Sequence, residues 1–495
     1  MKKTLLIFLL CLSYIVTRAN FPIDFSRVGY MWGEKTIPEY KNEIVLNAHK
    51  KGADMTAAIQ KALDKVKAPG AVLLTKGVYN VSGPLVINRS GVVLRGEGDE
   101  TVIVAKGTER RTLLTLGENT ERIAGKKTPI TADMTPVGQM WVKVKNPSIF
   151  SVGDRVAVRC KVNDAWISGL RMDVIPQNNK GSVKQWTPGA FAMKWERFVM
   201  KVEDDRIWLD NPVVMELDAR YLDSAWVEHV EWERISQSGV ENLRMISEYD
   251  PSVTTTQKSG IYKGLVYKSD ENHAWSAIDI LSSEHCWVRN VTSSYFAHAL
   301  VNLKLGSKNI TVSECVCSEP VSMLSGARRD AFHLTGGELC LIERCRAEHN
   351  RHGFQTAGKV PGPNVILECD MTDAYADVGP HQRWATGVLY DSCVTDNLMA
   401  VQDRDNWGTG HGWAGVSFVF WNCKAATIVC QSPWINGKNW CIGCIGEKVS
   451  GRSHEDGLDR PDGEWISHGT HVQPGSLYRY QLSSRKEKVT ESLNR

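Results

Sequence analysis

The sequence predicts an all-β chain wound as a parallel β-helix, and two observations carry that prediction. The first is a repeat. From about residue 237 the segments VENLRMI, CWVRNVT, NITVSECVC, CLIERCRAE, NVILECDMT, GVLYDSCVT, SFVFWNCKA and NWCIGCIGE recur, with equivalent positions at Leu243, Val291, Cys315, Cys345, Cys369, Cys393, Cys423 and Cys444. The spacings are 48, 24, 30, 24, 24, 30 and 21 residues. A period near 24, with β-rich runs between Gly, Asn, Asp and Ser turns, suits one coil of about three short strands. On this reading the 48 is two coils, and each 30 is one coil with a short insertion. The second observation is the ladder's composition: cysteine is small and apolar enough for a narrow interior, whereas the Leu-x-x-Leu-x-Leu pattern of a leucine-rich solenoid is absent.

Composition agrees with a large packed chain. Of 495 residues 42% are hydrophobic and 23% charged, which excludes a disordered polymer. Lys plus Arg number 59 against 56 Asp plus Glu, a formal charge of +3, so no nucleic-acid partner is expected from bulk charge.

Taken in order, residues 1–19 read as a secretory signal peptide: Lys2 and Lys3, an apolar stretch from Leu5 to Val16, then Thr17 and Ala19 before the cleavage point. Export to the periplasm or beyond the cell is therefore expected. Leu10 before Cys11 does not fit a lipoprotein, and no later segment has about 18 uninterrupted apolar residues, so no membrane span is expected. Twelve cysteines follow the signal, and all but Cys160 lie between Cys286 and Cys444 inside the repeat. They read as buried thiols more than as a disulfide framework.

Residues 20–124 form an amino-terminal cap and first coils. The run from Ala53 begins as a helix with Met55, Ile59 and Leu63 on one face, and strands follow. Through AIQKAL, LLTKGVYNVSGPLVI and LRGEGDETVI this segment resembles the pectate lyase superfamily of right-handed parallel β-helices. The resemblance implies a right-handed coil, a capping helix over the exposed end of the β-helix, and action on uronic-acid polysaccharides. Residues 125–236 break the period. MWVKVKNPSIFSVGDRVAVRC and RFVMKVEDDRIWLDNPV alternate like antiparallel strands around turns such as Glu203-Asp204-Asp205, which predicts an inserted β-rich subdomain. Its Trp-rich stretch, Trp166 to Trp195, either overhangs a cleft or packs as a seam. Residues 237–446 are the main β-helix, and the polar stretch 447–495 reads as a terminal cap with a loose tail.

Candidate chemistry concentrates in the main helix. Six of the 13 histidines fall between His298 and His411, with Arg328, Arg329, Arg351, Arg383 and Arg404. Counting back twelve from the ladder gives His333, His381 and His411, and equal offsets predict stacked rungs. Lys359 and Arg383 share one offset, His298 and His352 another. A row of cations along a groove suits an anionic ligand, while pairing with carboxylates such as Asp330, Asp377 or Asp403 is the plain alternative. The motifs SGARRDAFHL, EHNRHGFQT, GPHQRWATG and QDRDNWGTGHGW hold these residues beside Gly, Pro and Trp, as binding loops do.

β-Elimination needs a neutralised uronate carboxylate, a base for the C5 proton and an acid for the departing 4-oxygen. The expected catalytic set is His381 or His352 as base, Arg383 and Arg351 as clamps, and Tyr390 or His411 as acid. Arg329, His333, Lys359, Trp384, Arg404, Asn406, Trp407 and Trp413 are expected to bind substrate. The motifs of calcium-dependent pectate lyases and of polygalacturonases are not met, apart from Gly410-His411-Gly412. The expected activity is a lyase on an acidic polysaccharide, with chondroitin, dermatan or hyaluronan ahead of pectin. A hydrolase and a non-catalytic carbohydrate-binding β-helix are the alternatives. No metal ligand is assigned and no cofactor is required, although Asp373, Asp377, Asp403 and Asp405 leave calcium open. A monomer is expected.

Overall fold

The computed structural model describes residues 21–49, 52–258 and 260–493; the signal-peptide reading lies outside them. The repeat folds as predicted. Successive coils pair in parallel, and the residues one past the ladder, Thr292, Val316, Arg346, Asp370, Val394, Lys424 and Ile445, are mutual register partners. The ladder cysteines therefore stack. All twelve described cysteines are free and buried, and each ladder thiol turns onto its own coil, as when Cys369 Sγ donates to the Leu367 carbonyl at 3.3 Å.

The bend of each coil has a local cause that hydrophobic patterning does not show. The residue just before the ladder adopts the left-handed conformation in coil after coil: Asn242, Asn290, Glu314, Arg344, Glu368, Ser392, Asn422 and Gly443, with φ between 49° and 67°. Asparagine and glycine tolerate this region; Glu314, Arg344 and Glu368 are held there by the strands on either side.

One spacing is corrected. Leu243 pairs directly with Val291, so the interval of 48 is a single coil. The extra length leaves the coil as an excursion bearing the antiparallel hairpin Thr254–Thr256 with Val266–Lys268.

The amino-terminal helix Thr56–Lys65 buries Ile59, Ala62 and Leu63. Its Gln60 completes the last strand of the sheet below, donating to the Val86 carbonyl at 3.0 Å and accepting from the Val86 amide at 2.8 Å. An open strand edge is thus satisfied by a side-chain amide. Between Arg122 and Trp232 six strands form an antiparallel sheet. It docks on the β-helix through buried charges: Arg234 and Lys308 meet Glu196 at 2.9 and 3.0 Å, and Arg197 meets Glu338 at 2.5 Å. Burial pushes the Glu196 carboxyl up, but Lys308, Arg234 and Arg155 pull it well below the usual carboxylate range.

The stretch read as a loose tail contains the helix Leu477–Leu493. It docks on the amino-terminal segment, where Gln481 bonds both the Phe25 amide and the Ile23 carbonyl, and the Tyr478 hydroxyl donates to Val28. Among the described residues no helix is long and apolar enough to cross a membrane.

Candidate active site

One sheet of the helix carries the candidate residues. Its parallel strands include Ser276–Ile280, Ala299–Leu303, Asp330–Leu334, His352–Thr356 and Gly379–Pro380. Phe332 and Phe354 stack inward, 5.0 Å apart with planes at 3°, and their register places His333 beside Gln355 and Gln355 beside Gly379. His333 and His381 are therefore not on one column, because the corners between strands differ in length. The offset of His298 slips likewise: Asp330 faces His352, while the His298 carbonyl accepts from the Asp330 amide at 2.9 Å.

The structure still brings the histidines together. The His352 and His381 rings lie 4.9 Å apart, His381 and His411 4.9 Å, and His298 and His333 5.3 Å. His381, His411, His333, Arg351, Arg383 and Arg404 line one cleft of about 570 Å³, with Asp330, Gln355 and Trp407. His352 is 1% exposed and lies beneath His381, its Nδ1–H donating to the Asp377 carbonyl at 2.7 Å.

One residue expected as the acid, Tyr390, and several expected to bind substrate are placed elsewhere. Tyr390 is 0% exposed on the inward ladder between Ile366 and Phe420, and its hydroxyl donates to the Phe354 carbonyl at 3.2 Å. Trp384 and Trp413 are fully buried, Trp384 against Trp166 at 4.8 Å. Arg329 donates to the carbonyls of Ser322 and Lys268 and so ties down the hairpin of the long coil. Lys359 reaches across to the Ala190 carbonyl at 2.9 Å. Asn406 is buried and accepts from Arg452 at 2.5 Å. In each case a long or amphipathic side chain found a partner in another element, which sequence spacing does not report.

The Trp-rich stretch is a seam. Trp166, Trp186 and Phe191 stack on one another, and the neighbouring loop braces residues 406–410. Asn178 donates to the Gly408 carbonyl at 2.7 Å, Lys184 N–H to Thr409 and Trp186 Nε1 to Gly410. That brace matters because Thr409 holds Arg383, whose Nη2 donates to its Oγ1 at 2.6 Å and carbonyl at 2.9 Å.

Two charge states follow from this packing. Burial, then the neighbouring His352 and the Arg404 guanidinium, push His381 far below the ordinary histidine value. Burial and Arg404 with Arg383 lower His411 to about 3, and burial with Arg351 lowers His352 to about 3. All three imidazoles are neutral at pH 7. The carboxyls diverge: burial raises Asp330 to about 7, whereas at Asp377 Arg404 and His352 outweigh burial and hold it at about 2. Arg404 Nη1 meets Asp377 at 2.6 Å, while Arg351 stands 3.8 Å from Asp330 and Arg383 donates to Gln382 and Thr409.

Among the described residues the four acidic residues considered for calcium form no common ligand cluster, although Asp403 and Asp405 both approach His454. Asp377 faces Arg404, Asp403 faces Arg460 at 3.0 Å, Asp405 lies 3.5 Å from His454, and Asp373 is exposed near His349. A different set, His298, Asp330 and His333, offers one ligand atom each within 4.8 Å of one another.

The fold is a parallel β-helix. No family model and no curated protein matches the chain. Among solved structures it is similar to pectate lyase Pel9A, at 8% identity and a TM-score of 0.43 over 90% of this chain and 83% of that one. It is also similar to the polygalacturonase of Erwinia carotovora ssp. carotovora, at 11% identity and 0.38 over 89% and 99%. An alginate lyase from Paenibacillus sp. str. FPU-7 follows at 8% and 0.37 over 86% and 99%. Likenesses of this size assign no chemistry to this chain, which rests on its own residues.

Proposed function

We propose that the cleft performs β-elimination on a uronic-acid polysaccharide, with glycosaminoglycans ahead of pectins. The observation that carries the reading is a set of neutral imidazoles, His381 and His411, embedded among Arg351, Arg383 and Arg404. Abstraction of a proton α to a carboxylate requires that the carboxylate's charge be neutralised first. Among the described residues Arg383 has no acidic partner, and its planar fork suits that group; Arg351 lines the same cleft. Burial first, and then the same guanidiniums, depress the imidazoles. An anionic sugar cancels their field, so His381 gains proton affinity when the correct substrate is bound. His381 is the base and His352 positions it from below. With Tyr390 inside the helix, His411, whose ring lies 4.9 Å from that of His381, relays the proton taken from C5 to the leaving oxygen, accepting it at one nitrogen as it donates from the other and so staying neutral overall. A surplus of guanidinium over free carboxylate favours a polymer carrying carboxylates and sulfates.

A hydrolase needs two carboxyl groups flanking the bond. Asp330 and Asp377 differ in charge as such a pair does, but Asp377 is locked to Arg404 and does not line the cleft. The test is incubation with a panel of glycosaminoglycans and pectins while following the ultraviolet absorbance of the unsaturated uronate. His381→Ala and Arg383→Ala are each expected to reduce its formation by at least about a hundredfold, the size of general-base and charge-stabilising contributions. New reducing ends without the chromophore would establish hydrolysis instead.

A further inference from the structure

We infer that His298, Asp330 and His333 hold a divalent transition-metal ion of the zinc or cobalt class at the end of the cleft nearer the amino terminus. Adjacent rungs bring the three together: His298 immediately precedes the strand Ala299–Leu303, and Asp330 and His333 lie on the next strand. His333 Nδ1 stands 3.3 Å from His298 Nε2, and one ligand atom from each of the three residues lies within 4.8 Å of the others. Ligand bonds of about 2.0–2.1 Å in a tetrahedral shell separate donor atoms by about 3.3 Å, so two nitrogens already stand at the spacing a metal imposes.

The polar groups around this point are incompletely satisfied by protein. Asp330 is 1% exposed and His298 7% exposed, and among the described residues Asp330 Oδ1 has no hydrogen-bond partner. An unpartnered buried carboxylate oxygen is costly and uncommon, and a cation facing it removes the cost. The donor set selects the ion. Two imidazoles and one carboxylate suit zinc, cobalt or manganese, whereas calcium and magnesium prefer shells of oxygen. Three protein ligands leave a coordination position open, and because Asp330 and His333 line the cleft it faces the bound polymer. This last step rests on the polysaccharide reading: the ion takes an anionic oxygen of a sugar about 10 Å, two coils, from His381.

The experiment is a cobalt titration of tag-free, chelator-treated full-length protein, read by the visible d–d bands, with metal content measured separately. One equivalent of cobalt is expected, displaced by zinc and not by calcium. His298→Ala and His333→Ala are expected to abolish the bands while melting cooperatively. His381→Ala is expected to keep them while losing lyase activity. Failure to bind one equivalent would overturn the assignment, as would undiminished binding in folded His298→Ala and His333→Ala. If either variant does not fold, imidazole-directed acylation of the wild type, mapped by mass spectrometry, replaces it: zinc is expected to protect both His298 and His333, and equal acylation with and without zinc would overturn the assignment. None of these readouts requires turnover, so the metal site and the elimination reading fail separately.

Discussion

Tyr390 separates two accounts of the site, because its residue type suits an elimination acid and its position does not. The ring lies inside the coil, 5.6 Å from Phe420 and 6.4 Å from Phe418, with no exposed surface. Burial raises its hydroxyl well above the usual phenol value. Tyr390→Phe removes one hydrogen bond, to the Phe354 carbonyl, and leaves the packing intact, so the cost is about 1 kcal/mol. Tyr390→Ala empties an aromatic site in the core and costs about 3–5 kcal/mol. The assay pairs denaturant unfolding with the initial rate of unsaturated-uronate release. Tyr390→Phe is expected to turn over within about twofold of wild type, against at least a hundredfold loss when a general acid is removed. A Tyr390→Phe protein that unfolds like wild type yet loses a hundredfold in rate would show the hydroxyl reaching substrate and refute its placement.

Three further outcomes follow. His285 accepts the Met31 amide at Nδ1, and burial lowers it to about 4, so it is neutral in the folded protein. Its stabilising contribution is complete above the unfolded value near 6.5 and is lost as pH falls toward 4; at pH 5 wild type should have lost about 2 kcal/mol that His285→Gln does not lose, and parallel stability curves would contradict this. Trp407, 41% exposed at the cleft, should raise KM severalfold on replacement by Ala with little change in melting, whereas Trp384→Ala should destabilise the fold by about 3–5 kcal/mol; equal effects in both assays would undo the distinction. Thiol titration of the protein lacking residues 1–19 should find its twelve cysteines reactive after denaturation and almost none before; five or six disulfides would contradict the ladder.

Inward and outward residues are not equally legible. The interior of a β-helix has a fixed width, so the residue at each inward corner is held to small apolar types, and Cys315 through Cys444 align by type and spacing alone. The interval from Leu243 to Val291 misleads for the same reason in reverse: 48 is twice 24, but the extra residues leave the coil as a hairpin and add no rung. The polar stretch after Glu447 carries no apolar face to announce a helix, so Leu477–Leu493 depends on contacts made at Tyr478, Gln481 and Arg485.

Outward residues obey no such width. Loops of different length leave each coil between the ladder and the cleft, and a slip of one residue at a corner exchanges a cation for its neighbour. That is why His298, His333, His352, His381 and His411 are recognisable in the sequence as a cluster but not as a column, and why Arg329 and Lys359 are drawn into it while bonded elsewhere. It is also why Asp330 enters the sequence reading only as a counter-charge. Its raised carboxyl comes from burial, and its place beside His298 from two neighbouring strands that start at one level, Ala299–Leu303 and Asp330–Leu334. Charge clustering in the sequence locates the charged cleft of this β-helix, but which of those charges line it is decided by the corners, whose lengths follow from packing and not from the repeat.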